Sequence, residues 1–205
     1  MLEAFTAGLL LITVSELGDK TFFIAVILSM QHSRRLVFVG VTAALAAMTI
    51  LSVVFGQAVA FLPKVYIHYA EVALFLGFGL KLLYDGVKMS PAAHGEDAVE
   101  EAKEAVEQAD LQGKTKSIWS ILIQAFILTF MAEWGDRTQF ATIALAASKN
   151  ALGVAIGATL GHAICAAIAV LGGRFIAGKI SERQITLIGG SLFIIFGIFA
   201  AMNGK

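Results

Sequence analysis

Apolar positions gather into six long runs, at 2–30, 36–62, 67–88, 118–147, 151–173 and 184–203. Each reaches the roughly 20 residues that a helix needs to cross a bilayer. Short polar patches part them: Q-H-S-R-R at 31–35, L-P-K at 62–64, S-K-N at 148–150 and G-K-I-S-E-R at 178–183. The alternating ten-residue strands of a membrane barrel are absent from the pattern. Pro63 and Pro91 both lie at edges of apolar runs, so no helix interior is interrupted by proline. The pattern predicts an all-α membrane protein with six transmembrane helices. Its first run begins M-L-E-A-F-T-A-G-L-L-L-I-T-V, without the basic start of a signal peptide, and continues to Met30. It reads as a retained first span. The one long hydrophilic interval, 89–117, is rich in Glu, Ala and Lys.

Composition strengthens this picture. Of the 205 residues, 58% are hydrophobic and 15% charged, where a soluble domain is nearer a quarter charged. A net charge of zero gives no footprint for nucleic acid, and the lone Cys165 provides neither a disulfide framework nor a thiolate cluster. Basic residues orient the chain. Arg34, Arg35, Lys88, Lys103, Lys114, Lys116, Arg174, Lys179 and Arg183 follow spans one, three and five; Lys64, Lys149 and Lys205 fall on the other side. The positive-inside rule then places both termini outside and the 89–117 loop in the cytoplasm.

The chain repeats itself at an offset of 117 residues. Glu16 maps onto Glu133, Gly18 onto Gly135, Asp19 onto Asp136, Thr21 onto Thr138, Gly40 onto Gly157 and Gly56 onto Gly173. After a slip of one, F-x-x-F-G recurs at 75–79 and 193–197. The expected organisation is a three-helix repeat over 1–88, an acidic linker over 89–117 and a second three-helix repeat over 118–205. Because three is odd, the second repeat enters the membrane from the opposite side. Such inverted repeats carry midplane sites at their interface.

Two charged phrases stand in the middle of apolar runs: S-E-L-G-D-K-T at 15–21 and A-E-W-G-D-R-T-Q at 132–139. A charge at mid-membrane costs about 3 kcal/mol on insertion scales, so residues kept there have a function by default. On a continuous helix Glu16 and Asp19 share a face, as do Glu133 and Asp136. Gly18 and Gly135 permit close approach or local unwinding; Thr21, Thr138 and Gln139 add neutral oxygens. Four carboxylates with hydroxyl and amide oxygen, and no sulfur or imidazole, suit hard divalent cations. Glu16, Asp19, Glu133 and Asp136 against Lys20 and Arg137 leave two negative charges, which one divalent cation or two protons would neutralise. Exchange of two protons per cation follows as a hypothesis.

A plainer reading makes Glu16–Lys20 and Glu133–Arg137 self-neutralised i,i+4 bridges that lock helices, at the expense of unpaired Asp19 and Asp136. His162 reads as a hydrogen-bonded packing residue in preference to a proton relay, its repeat counterpart being Leu45. Glu71, Lys81 and Asp85 lie toward the ends of span three, with a gating role only weakly supported. The acidic run 96–110 reads as a solvated face. No enzyme motif occurs: there is no H-E-x-x-H and no G-x-S-x-G.

At E-L-G-D-K-T (16–21) and E-W-G-D-R-T (133–138) the sequence resembles the calcium/manganese–proton exchanger family of bacterial, Golgi and chloroplast membranes. The resemblance covers essentially the whole chain. It implies a six-helix 3+3 inverted repeat in which Glu16, Asp19, Glu133 and Asp136 bind the exported cation. It also implies that Thr21, Thr138 and Gln139 support them while Lys20 and Arg137 tune the charge. Manganese or calcium would be the substrate, with protons as counter-ion and no bound cofactor, in a bacterial inner membrane. Two rivals stand beside it: an exporter of a small organic cation or amino acid, using Phe22, Phe23 and Trp134 as lining, and a membrane assembly factor that moves no metal.

Overall fold

A computed structural model describes residues 1–89, 96–110, 117–176 and 181–203. Regular structure in these residues is entirely α-helical: α1 (Leu2–Glu16), α2 (Lys20–Gln31), α3 (Arg34–Val59), α4 (Lys64–Lys88), α5 (Glu96–Asp110), α6 (Ile118–Glu133), α7 (Arg137–Ser148), α8 (Ala151–Ile176) and α9 (Glu182–Asn203). Four stretches, Arg34–Val59, Lys64–Lys88, Ala151–Gly172 and Arg183–Met202, are long and apolar enough to cross a membrane. The pair α6–α7, bent by 74° at its break, is apolar enough to be a fifth if the two helices form one broken span. The basic residues Lys114, Lys116, Lys179 and Lys205 lie outside the described residues.

The runs 2–30 and 118–147 are therefore not single helices. Each is broken at its charged phrase, by Leu17–Asp19 and Trp134–Asp136. The cause is local. Gly18 and Gly135 adopt φ of 77° and 83°, the only positive values among the described residues. That region is open to glycine and costs an L-residue about 1–2 kcal/mol. Asp19 and Asp136 then start the next helices as N-caps, the role short acidic side chains fill best.

Small residues set the packing. Along α8, Gly153 meets Ala4 and Phe5, Gly157 meets Phe5 and Leu9, and Gly161 meets Leu9 and Thr13. Cys165 Sγ completes the series by donating to Thr13 O, at 3.2 Å. The contacts advance together, so α1 and α8 run parallel, close enough that no side chain fits between them. In the other half Gly40 of α3 packs on Leu122 and Ala125 of α6. Helices α4 and α9 run antiparallel instead: Gly79 packs on Ile194, Gly86 on Leu187, Gly190 on Leu82 and Leu83, and Gly197 on Leu76.

Two apolar cores result. One joins Phe22, Phe23 and Val26 of α2 to Val37 and Val41 of α3 and Val170 of α8. The other joins Leu11 of α1 to Phe75, Leu145 and Phe193. The broken helices meet between them. Helix α5 departs from the expected solvated face: Ala102 and Val106 are 0% and 1% exposed, packed into the first core beside α2. Its acids do face outward, with Glu100, Glu101, Glu104 and Glu107 all exposed. The apolar stripe is built of Ala and Val, which add little hydropathy to an acidic run, so hydropathy along the sequence does not reveal it.

Candidate functional site

The two breaks bring the charged phrases together. Glu16 closes α1 and Glu133 closes α6, and each is 2% exposed. Oxygen atoms of Glu16, Glu133 and Asp136 lie within 4.8 Å of one another. That spacing fits oxygens spanning a hard cation, whose own ligand distances are about 2.0–2.6 Å. Both elements end here for the same reason. A glutamate in the last helical turn, followed by a glycine of positive φ, turns the chain so that its side chain points across at the other motif.

Hydroxyls fix the two glutamates. Thr21 Oγ1 donates to Glu16 Oε2 at 2.9 Å. Thr138 Oγ1 stands 2.5 Å from Glu133 Oε1 and 3.2 Å from Asp136 Oδ2. Glu16 Oε1 is buried with no hydrogen-bond partner in the described protein. A buried carboxylate oxygen without a donor is costly, and a cation or a proton is what would relieve it.

The fourth acid stands apart from the other three. Asp19 Oδ1 accepts from the Lys20 amide at 2.6 Å, and Asp19 Oδ2 accepts from Arg137 at 2.8 Å. Arg137 Nε also approaches Asp136 Oδ1, at 3.8 Å. Asp19 is thus a helix cap neutralised from the opposite motif, where a shared face with Glu16 had been expected. The i,i+4 bridges are not formed either. Lys20 reaches Glu101 of α5, at 3.6 Å, and Arg137 reaches the two aspartates. Helix periodicity fails here because the helix does not continue.

Gln139 serves the turn. Its Oε1 accepts from the Gly135 amide at 2.8 Å, and its Nε2 is 3.1 Å from Met48 Sδ. Its oxygen thus accepts one backbone bond, which leaves a second lone pair. His162 is 3% exposed, and its Nδ1 is buried with no hydrogen-bond partner among the described residues. Glu71 is buried away from the cluster and accepts from Ser148 Oγ at 2.9 Å. Lys81 and Asp85 share a cavity with Asp136 and Arg137. Two residues escaped the sequence reading, Glu101 and Met48. Glu101 sits four residues before Ala105 and three after Ala98 in a run with helical apolar spacing, and that spacing was the available signal. Met48 carried none.

Gly135 permits a direct test of the break. A Cβ there would meet nothing within 4 Å, so Gly135→Ala introduces backbone strain without a clash. We expect a loss of about 1–2 kcal/mol, read as a lower thermal midpoint in detergent, whereas Gly77→Ala in mid-α4 leaves stability unchanged or slightly raised.

A family model described as "Divalent cation/proton antiporter GDT1" matches residues 4–90 and 121–205. The chain belongs to the GDT1 family. A GDT1-like protein of Synechocystis is 62% identical over 201 residues, covering 97% of this chain and 96% of its own. GDT1-like protein 3 of Oryza sativa subsp. indica is 44% identical over 206 residues, 97% of this chain and 73% of its own. The chloroplastic PAM71-homolog of Arabidopsis thaliana is 43% identical over 208 residues, 95% of this chain and 58% of its own. No solved structure matches. The matched family is one of transporters, in keeping with the lack of an enzyme motif, and both charged phrases fall within its two matched segments. Helix α5 falls between them.

Proposed function

We propose that this GDT1 chain exports Mn²⁺ or Ca²⁺ in exchange for protons, through a midplane site formed by Glu16, Glu133 and Asp136 with Asp19 held in reserve by Arg137. The observation that carries the reading is the convergence of three carboxylates from two different broken helices, within 4.8 Å, in an apolar surrounding. Oxygen-only donors favour Mn²⁺ and Ca²⁺ over metals that prefer nitrogen or sulfur. Thr21 and Thr138 orient the glutamates, and Gly18, Gly135 and Gln139 set the turns that deliver them.

Six spans arranged as inverted repeats fit the packing. If α1–α2 is a broken span like α6–α7, the first half is α1–α4 and the second is α6–α9. The contact of Gly157 on Phe5 then has its repeat image in Gly40 on Leu122, and that of Gly79 on Ile194 has its image in Gly197 on Leu76. Contacts that recur with the halves exchanged are what a twofold axis between them produces. Under this reading the repeats are 1–88 and 118–205, joined by the linker 89–117. Both termini are outside and the linker is cytoplasmic, in a bacterial inner membrane.

The motif residues together carry two negative charges, so metal on one leg and two protons on the other keep the buried site neutral. Proteoliposomes loaded to hold a pH gradient should take up radioactive manganese or calcium against no potential. A membrane potential alone should drive none. Uptake driven by potential at equal pH would overturn the two-proton exchange.

A further inference from the structure

We propose that Glu101 of the linker helix α5 is a positioning residue for cation binding: it holds the Lys20 ammonium away from Asp136 and so keeps Asp136 available as a ligand. The inference rests on the site reading above.

The argument starts from a broken symmetry. The repeat makes Lys20 and Arg137 equivalents, each following the capping aspartate of its own motif. Arg137 crosses to the other motif and binds its aspartate, Asp19, at 2.8 Å. By the same rule Lys20 would cross to Asp136. It does not; it turns to Glu101 at 3.6 Å. The consequence is visible in the carboxylates. Asp19, bound by its arginine, is missing from the group of acids that close on one another, while Asp136 belongs to it. Lys20, Glu101, Glu133 and Asp136 all line one cavity of about 180 Å³, so the ammonium has an open route from one partner to the other.

What keeps Glu101 in place is the other face of α5. Ala102 and Val106, 0% and 1% exposed, pack into the core around Phe22 and Phe23, and Glu101 precedes Ala102. The neighbours of the broken half-helices differ in the same way. Helix α7 packs on α4, whereas α2, its repeat equivalent, packs on α5 and meets α9 marginally at most. The unduplicated segment therefore supplies the unduplicated ion pair. Lys20 and Glu101 side chains are 36% and 64% exposed, so the pair is weak and readily exchanged, as suits a contact that competes with a cation site.

The test is a double-mutant cycle read by Mn²⁺ titration of the purified full-length protein, with Mn²⁺ alone as probe. Glu101→Gln should weaken binding about two- to fivefold, the most that an exposed ion pair can transfer to the site. Glu101→Asp should retain most of the affinity. In a Lys20→Gln background, where no ammonium competes for Asp136, Glu101→Gln should have no effect. A purely structural or long-range electrostatic role for Glu101 would weaken binding equally in both backgrounds, and that result overturns the proposal. So does an unchanged affinity in Glu101→Gln itself. Absence of Mn²⁺ and Ca²⁺ binding by the parent protein would instead refute the proposed function, so the two failures are distinct.

Discussion

Glu133→Gln is expected to abolish metal–proton exchange while leaving the protein at least as stable as the parent. The substitution removes one of three anionic ligands and keeps the volume of the side chain. A hydrogen bond or contact to a charged group is worth about 1.5–3 kcal/mol, which corresponds to roughly 10- to 150-fold in cation affinity. Flux should fall further than affinity, because the same carboxylate is needed for the proton leg. Stability should move the other way. Glu133 is 2% exposed beside Glu16, and replacing a buried acid in a cluster of like charge by a neutral amide removes a desolvation cost and a repulsion. The opposite signs separate a transport site from a helix-locking bridge, which would lose stability on the same change. Uptake in proteoliposomes and a thermal melt in metal-free detergent together read both signs. Glu16→Gln should behave alike.

Gly157→Leu should prevent folding altogether. A Cβ at this position would collide with the Phe5 carbonyl oxygen and come within 3.0 Å of the Leu9 amide nitrogen. These are backbone atoms of a packed helix and have no rotamer to yield. Overpacking a core costs about 1–3 kcal/mol when side chains can shift, and more when they cannot. In a membrane the helices have no hydrophobic drive toward one another to offset the gap, because lipid is as apolar as leucine. Gly40→Leu should be milder, since the overlap is smaller there: the nearest atoms are Ala125 Cβ at 2.8 Å and the Leu122 carbonyl oxygen at 2.9 Å. Yield of monodisperse protein by size-exclusion chromatography measures both.

Much of this was legible in the chain. The offset relating Glu16 to Glu133 also relates Gly40 to Gly157, and both glycines occupy helix–helix seams. Apolar runs located the long helices α3, α4, α8 and α9 to within a few residues at most ends. The charged phrases announced their own importance because lipid tolerates such residues only for cause. The partners within them were not legible. Helix periodicity gives Glu16 and Asp19 one face only while the helix persists, and the φ of Gly18 decides that it does not. Composition offered either unwinding or close packing for that glycine, with nothing to choose between them. The cross-motif pairing of Arg137 with Asp19 depends on how two halves meet, which no local pattern encodes. Nor does hydropathy register an alanine–valine stripe under seven acids, so α5 looked like a helix with nothing to bury.

The antiparallel crossing of α4 and α9 has a mechanical corollary. Gly79 against Ile194 and Gly197 against Leu76 are the same joint made twice, on either side of a common centre. If the proposed exchange proceeds by rocking about that centre, loosening one joint would tighten its twin, and the two tilts would be close in energy. Any bias between tilts must then come from a part with no twin. The short amphipathic helix α5, which lies between the two halves and packs beside α2, is one such part.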